Sequence, residues 1–334
     1  MRINEIDIKG FYRDFLNFGD KLIKQYRDLK AKSIPALPAA KGIVFSGMGG
    51  SGIVGDVIKD YLYYSESYNF KKLLLVNKSH ILPSHVNEEI PLIAISYSGN
   101  TAETINVVIE ALKRDISVIC ISSGGKLEEL CQEKGLAHIK IHKAMAPRSA
   151  LPELLAATLR VLEETFNLDF TSDVEEAYKY LVYLKEYWGP SEESRPFKLA
   201  REIDGKIPII YTPHDLISVG IRAKTAFNEN AKINAYYDIY PEMFHNEVMA
   251  YEEEINSSLL PIFIGGNSKV EVFYRYLLDK RCNVISVEYP SDVGRLAAIL
   301  KLIKLFDLTS VYLAVLRGID PYPVRLISWL KEHG

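Results

Sequence analysis

The chain has 334 residues, 48% of them hydrophobic, and a formal net charge of -3. That length suits two ordinary domains, each able to bury its own core. A charge so near zero gives no reason to expect nucleic acid or an acidic membrane as partner, so any anion chemistry has to be local. The three cysteines, Cys120, Cys131 and Cys282, form no CxxC pair and cannot all pair within the chain. They point to a reduced, cytoplasmic setting. The N-terminus has no apolar core of signal length, and no apolar stretch reaches membrane-spanning length without a charge.

Residues 5–31 carry spaced apolar positions among charges and predict a helix. Residues 42–45 predict a first strand that runs into a glycine loop, residues 46–52, and then a helix over 53–63. Strands follow at 72–76 and 91–95, the latter ending in the loop 96–101. Residues 101–113 are helical, with Glu103 in the first turn, where a carboxylate suits the positive helix end. Residues 117–121 and 137–141 are strands, and 151–165 a helix. The polar stretch 167–173 marks a boundary. A helix over 174–187 and a break at Gly189-Pro190-Ser191 come next.

The second half repeats the plan. Strands are predicted at 208–211, 261–264 and 283–287, with helices at 218–230, 270–280, 293–317 and 321–333. The second of these strands ends in Gly265-Gly266-Asn267-Ser268. Asp320-Pro321 is expected to open the last helix, with proline at a tolerated early position. Strands alternating with helices imply an α/β chain with parallel sheets covered on both faces, here as a duplication of one unit.

A strand that delivers Gly47-Met48-Gly49-Gly50-Ser51-Gly52 into a helix makes an anion site. Glycines allow close backbone approach, and the amides at the helix start point at the anion. Gly47, Gly49 and Gly52 also satisfy GxGxxG, the dinucleotide fingerprint. Against a dinucleotide, the next strand ends in Asn77-Lys78 rather than in a carboxylate for the ribose. A second loop, Ser96-Tyr97-Ser98-Gly99-Asn100-Thr101, places three hydroxyls within six residues at another helix start, which suits phosphate oxygens. The bland alternative is two ordinary strand-to-helix turns capped by Ser and Thr. No GxxxxGK[ST] is present, which removes a Walker site.

The paired loops resemble a sugar isomerase (SIS) domain. With Pro147-Arg148-Ser149, Asn228-Glu229-Asn230, His245-Asn246-Glu247 and a terminal Leu330-Lys331, the whole set resembles the archaeal-type bifunctional phosphoglucose/phosphomannose isomerases, within the phosphoglucose isomerase superfamily. These motifs fall in order over nearly the whole chain. The resemblance implies two tandem SIS-type doubly wound parallel-sheet domains, flavodoxin-like three-layer sandwiches. The first, 1–166, carries the phosphate loops. The second, 167–334, carries the catalytic Glu, His and Lys.

The implied reaction is reversible aldose–ketose isomerisation of glucose 6-phosphate and mannose 6-phosphate to fructose 6-phosphate through a cis-enediolate, with no metal and no cofactor. Such a reaction needs a carboxylate base, a cation beside the developing oxyanion and an acid–base group for ring opening. By resemblance these are Glu229, Arg148, and His245 with Lys331. Pattern alone would read them as a solvated helix-end Glu, a surface guanidinium, a structural His and a cation at a helix C-terminus. Glu229 as a base predicts partial burial close to Arg148. Phosphate is assigned to Gly50, Ser51, Ser96, Ser98 and Thr101. In the family the His comes from the neighbouring subunit, which implies a homodimer. In relatives a small hydroxyl residue near the last helix is tied to mannose activity, whereas here residues 320–324 read Asp-Pro-Tyr-Pro-Val. The alternatives are a non-catalytic SIS sensor of sugar phosphates, an isomerase restricted to glucose 6-phosphate, and a dinucleotide-dependent oxidoreductase.

Overall fold

The computed structural model describes residues 3–38, 41–253 and 256–333. They form two compact units. The N-terminal unit holds Asn17–Val182 with Gly294–Ala297. The C-terminal unit holds the described residues up to Leu16, Tyr183–Val293 and those from Ala298 onward. No helix among the described residues is long and apolar enough to cross a membrane.

The chain opens with α1 (Ile3–Ile6), α2 (Phe11–Leu16) and α3 (Phe18–Lys30) where one helix was predicted. The break has a local cause. Gly10 sits at φ +67°, and the Asp7 carboxylate accepts from the amides of Phe11 and Tyr12 at 2.7 and 2.8 Å, capping a new start.

In the N-terminal unit, β1 (Gly42–Ser46), α4 (Gly49–Tyr63), β2 (Leu73–Asn77), β3 (Leu92–Ile95), α5 (Ala102–Lys113), β4 (Val118–Ser122), α6 (Lys126–Lys134), β5 (Ala137–Lys140) and α7 (Leu151–Phe166) follow in order, and α8 (Thr171–Tyr187) begins. The five strands are all parallel, in the order β2-β1-β3-β4-β5. β1, β3 and β4 are buried along their whole length. That burial explains their unbroken Ile, Val and Leu runs: helices cover both faces of the sheet. The chain leaves β1 for one edge and returns to β3 on the other side of β1. The crevice between the ends of β1 and β3 is therefore the topological switch point, where open α/β sheets bind ligands.

The C-terminal unit contains α9 (Arg195–Ile203), β6 (Ile207–Pro213), α10 (Ile217–Ala226), β7 (Tyr236–Tyr240), β8 (Leu259–Ile264), α11 (Ser268–Asp279), β9 (Ile285–Val287), α12 (Arg295–Leu316) and α13 (Arg325–His333), with the first residues of α12 assigned to the other unit. Its four strands are parallel in the order β7-β6-β8-β9. Tyr211 of β6 stacks on Phe263 of β8, ring centroids 4.9 Å apart. The buried Arg222 Nε donates to Asp307 Oδ1 at 2.8 Å, so two charges at the core neutralise each other.

Three elements escape the sequence reading: α6, α9 and β7. The start of the last helix is also displaced. α13 begins at Arg325 and not at Pro321. Pro321 and Pro323 push the residues before them, Asp320 and Tyr322, out of the helical region. The Tyr322 amide donates instead to the Asp320 carboxylate at 2.9 Å, closing a tight turn.

Candidate active site

The glycine loop and the hydroxyl loop leave the ends of β1 and β3, on either side of the switch point. Neither α4 nor α5 is capped by a side chain at its N-terminus. The amides of Gly49 and Gly50 open α4, where no preceding turn supplies them a carbonyl. The Ser51 amide is already engaged, donating to Met48 O at 3.0 Å. The Ser51 hydroxyl, buried at 6% exposure, accepts from the Tyr97 amide at 3.0 Å. Its own proton is thereby turned to another acceptor. Ser96 Oγ donates to Thr101 Oγ1 at 3.0 Å, and Ser98 Oγ accepts from the Asn100 amide at 3.2 Å. Gly50, Ser51, Ser96, Ser98 and Thr101 thus belong to one unit, on two loops tied by the Tyr97–Ser51 bond. Donors of this kind, at helix starts that no side chain closes, suit an anion.

The hydroxyl loop is held from behind by residues 122–125. Gly99 has φ +67°, and a Cβ there would stand 1.7 Å from Gly124 O, so the two backbones touch only because position 99 is glycine. The Leu127 amide donates to Gly99 O at 2.8 Å and the Lys126 amide to Asn100 Oδ1 at 3.1 Å. Ser122 Oγ donates to Gly124 O at 2.9 Å and lies 2.8 Å from His138 Nε2. Burial lowers the His138 pKa more than the Glu128 carboxylate raises it.

Arg148 joins this unit as a third member. It lies in the short turn Pro147–Ser149 ahead of α7 and is buried at 4% exposure. A Cβ on Gly50 would be 3.0 Å from Arg148 Cα and from Pro147 O, so that turn rests directly on the first turn of α4. The surface guanidinium expected from pattern alone is not what the fold builds. A buried guanidinium keeps its charge and needs anionic or carbonyl partners.

In the C-terminal unit α10 ends at Ala226 and widens into a looser turn, Phe227–Ala231, closed by Lys232 at φ +57°. Asn228 and Asn230 anchor it. Asn228 Nδ2 donates to Ile233 O at 2.8 Å and the buried Asn230 Nδ2 to Ser310 Oγ at 2.9 Å. Lys232 Nζ donates to Glu229 O, and Arg317 Nη1 to Ala231 O at 2.6 Å. Glu229, between the two asparagines, is half-buried. It lines a cleft of about 830 Å³ with Lys224, Lys232, Tyr236, Asp320 and Arg325. That volume is in the range of small-molecule sites. The loop 320–324 singled out in the sequence is therefore a wall of the cleft that Glu229 faces.

His245 is exposed, at the end of the short turn Glu242–His245. Glu247, two residues on, has no role assigned from its motif. Tyr211 donates to Glu247 Oε1 at 2.6 Å, and burial and then the Asp238 carboxyl push the Glu247 pKa upward. This anchors the segment that carries His245. Lys331 is exposed on α13, beyond the residues of that helix that line the cleft.

His138 and His142 face different partners: Glu128 lies 3.8 Å from His138 Nδ1, and Asp28 lies 3.1 Å from His142 Nε2. Among the described residues no group of three or more His, Cys, Asp or Glu side chains is arranged to hold a metal ion. At the end of β2, Asn77 is buried and donates to Ile81 O at 3.2 Å, while Lys78 pairs with Asp56. The ribose carboxylate of a dinucleotide site is not in that place.

These features define a tandem SIS-domain protein. Residues 36–166 match the SIS domain family, and residues 192–333 match the bacterial phospho-glucose isomerase C-terminal SIS domain. The chain is 33% identical, over 98% of its length and 96% of the relative's, to a bifunctional phosphoglucose/phosphomannose isomerase of Aquifex aeolicus. It is 30% identical, over 92% of its length and 94% of the relative's, to a D-glucosamine-6-phosphate 4-epimerase of Sulfolobus acidocaldarius. The fold is shared with tagatose-6-phosphate ketose/aldose isomerase of Escherichia coli, at a TM-score of 0.68 and 14% identity over 94% of this chain and 95% of that one. The chain belongs to the bifunctional phosphoglucose/phosphomannose isomerase family.

Proposed function

We propose that this protein is an aldose–ketose isomerase that interconverts glucose 6-phosphate and mannose 6-phosphate with fructose 6-phosphate. The observation that carries the reading is the joining, within one unit, of two hydroxyl-bearing loops at the switch point with the buried Arg148. A sensor needs the loops but not a buried cation beside them. The loops hold the phosphate through Ser51, Ser96, Ser98 and Thr101 and the amide of Gly50. His245 and Lys331 open the ring, one taking the proton of the anomeric hydroxyl and the other supplying a proton to the ring oxygen. Glu229 removes the C2 proton and returns it to C1, and Arg148 neutralises the enediolate oxygen between those steps. No metal is required where the protein itself supplies that cation. Rotation about the C2–C3 bond presents either epimer to Glu229.

The active assembly is a homodimer in which His245 serves the neighbouring subunit. The exposure of His245, Met249 and Val272, and of Leu326 and Leu330 on α13, supports this reading. The free thiols of Cys120, Cys131 and Cys282 suit a cytoplasmic enzyme.

The test is fructose 6-phosphate formation from each aldose, with and without a chelator. Turnover of both sugars, unaffected by chelation, is expected. No turnover by folded protein returns the sensor, and turnover of glucose 6-phosphate alone narrows the substrate. Mixing inactive His245→Ala and Glu229→Gln proteins through unfolding and refolding should restore about a quarter of wild-type activity, since half the dimers are mixed and each has one intact site. No recovery would refute the shared site.

A further inference from the structure

Tyr97 stands in the middle of the phosphate loop 96–101, and no role for it follows from phosphate chemistry. Its contacts are unusual in number and direction. Its amide donates to Ser51 Oγ at 3.0 Å, which fixes the hydroxyl of the glycine loop. Its carbonyl accepts from the Ser123 amide at 2.9 Å and from Ser123 Oγ at 2.8 Å, which fixes the loop behind. Its phenol spans 47 residues of sequence to reach Ala144, donating to Ala144 O at 2.6 Å and accepting from Ala144 N at 2.9 Å. One side chain thus satisfies both polar groups of a single loop residue, in place of a sheet or helix partner.

Ala144 lies just ahead of the turn that carries Arg148. That turn is closed on itself: Ser149 Oγ donates to Ala146 O at 3.0 Å and accepts from the Ala146 amide at 3.2 Å. Lys21 Nζ donates to Ser149 O at 2.6 Å from α3. On its other side the turn rests on Gly50. Only Met145 separates the phenol-held residue from this closed unit. The position of Arg148 against the first loop is therefore set from two sides, by Gly50 and by the Tyr97–Ala144 clasp.

We propose that Tyr97 is a positioning residue: by gripping both polar groups of Ala144 it holds the turn bearing Arg148 in register with the phosphate-binding hydroxyl of Ser51. This rests on the isomerase reading above. The phosphate is held where the loops put it, and the oxyanion forms several bonds away along the sugar. A guanidinium that stabilises that oxyanion has to be fixed relative to the phosphate, and a shift of about 1 Å can cost on the order of a hundredfold in rate. A side chain that touches the phosphate loop and the Arg148 loop at once supplies that fixed distance.

The experiment is a double-mutant cycle of Tyr97→Phe and Arg148→Gln on the full-length protein, joined to amide hydrogen exchange. Tyr97→Phe keeps the ring and removes the phenolic oxygen. We expect kcat to fall by about ten- to a hundredfold, with KM and the inhibition constant of inorganic phosphate within about twofold of wild type, because the phosphate hydroxyls are untouched. In an Arg148→Gln background the same change should have no further effect on kcat, since Tyr97 acts through that guanidinium. Exchange at residues 144–149 should quicken. Multiplicative losses in the double variant, or a rise in KM with kcat intact, would overturn the proposal. A wild-type protein that isomerises neither sugar brings down the isomerase reading instead. The clasp is then judged by exchange alone, where unchanged rates at 144–149 in Tyr97→Phe overturn it.

Discussion

The two sheets hand their chains from strand to helix in the same order, yet they finish one of the helix starts differently. In the N-terminal unit α4 and α5 begin without a side-chain cap, and Thr101, placed to cap α5, instead accepts from Ser96. In the C-terminal unit α10 likewise has no side-chain cap, but α11 begins under Asn267, whose side chain accepts from the Val270 amide at 3.1 Å. A helix start closed by its own cap has spent a donor that an anion would use. At α5 the first unit therefore keeps an open helix start, where the second unit has a closed one at α11. The second unit is instead elaborated at the other end of a helix, where α10 widens and sets Glu229 on a cleft. On the proposed mechanism one fold used twice divides the work: the first copy holds the phosphate and supplies Arg148, and the second supplies the base Glu229.

The largest effect should come from the reacting half. Glu229→Gln keeps size and hydrogen bonding and removes the base. Fructose 6-phosphate formation should lose about a hundred- to ten-thousandfold in kcat, with KM nearly constant. A rise in KM at unchanged kcat would show that Glu229 belongs to binding, and the division of labour would fail.

The phosphate loop's backbone should respond in the opposite parameter. Gly99→Ala drives a Cβ into Gly124 O and imposes a left-handed backbone on alanine. The loop 96–101 has to shift, so KM should rise by more than about tenfold, with about 1–3 kcal/mol of stability lost in denaturant titration. Wild-type KM in that variant would mean the loop is not the phosphate site.

A matched pair is gentler and more direct. Asn267→Ala removes a working cap and should cost about 1 kcal/mol of unfolding free energy while leaving KM alone. Thr101→Val removes a hydroxyl that caps nothing and should raise KM about three- to tenfold, with the smaller stability loss. Equal effects on KM would erase the contrast between open and closed helix starts.

The open cradle was legible in the sequence because its parts are contiguous. A strand, a run of glycines and a cluster of hydroxyls are local signals, and β1, β3 and β4 stand where the apolar runs put them. The closed counterpart was less so. Gly265-Gly266-Asn267-Ser268 looks like another loop of the same kind until Asn267 is seen to bond Val270. β7 was missed because it is an edge strand, exposed at Tyr236 and Tyr237, so burial writes no apolar run into it. By pattern alone Arg148 read as a surface residue, and only the resemblance made it a site residue, because its burial comes from packing on α4, which no spacing encodes. The widened turn at Glu229 and the clasp of Tyr97 on Ala144 are likewise tertiary facts. Tyr97 sat inside a recognised motif, but only its partner 47 residues away gives it a reason to be tyrosine.

The smallest expected effect sharpens the same comparison through pH. The turn behind the hydroxyl loop is held by Ser122, which His138 contacts from β5, while the cap on α11 is an amide that does not titrate. The groups facing His138 are Ser122, Glu128 and Lys140. Burial lowers its pKa below the ordinary 6.5, Glu128 pulls it back and Lys140 adds to the lowering. The native protein thus takes up this proton at lower pH than the unfolded chain does. As pH falls below 6.5 the unfolded state binds more protons, and stability declines until the lowered native pKa is passed. Above 6.5 both states are neutral at this site and the contribution is constant. His138→Gln retains a polar partner for Ser122 and cannot titrate, so its Tm should change less than wild type between about pH 7 and pH 5. Amide exchange in wild type should quicken over the same interval at residues 96–101 and stay level at 265–268. If both loops quicken together, the acid response is global unfolding and the cradle has no weak point of its own.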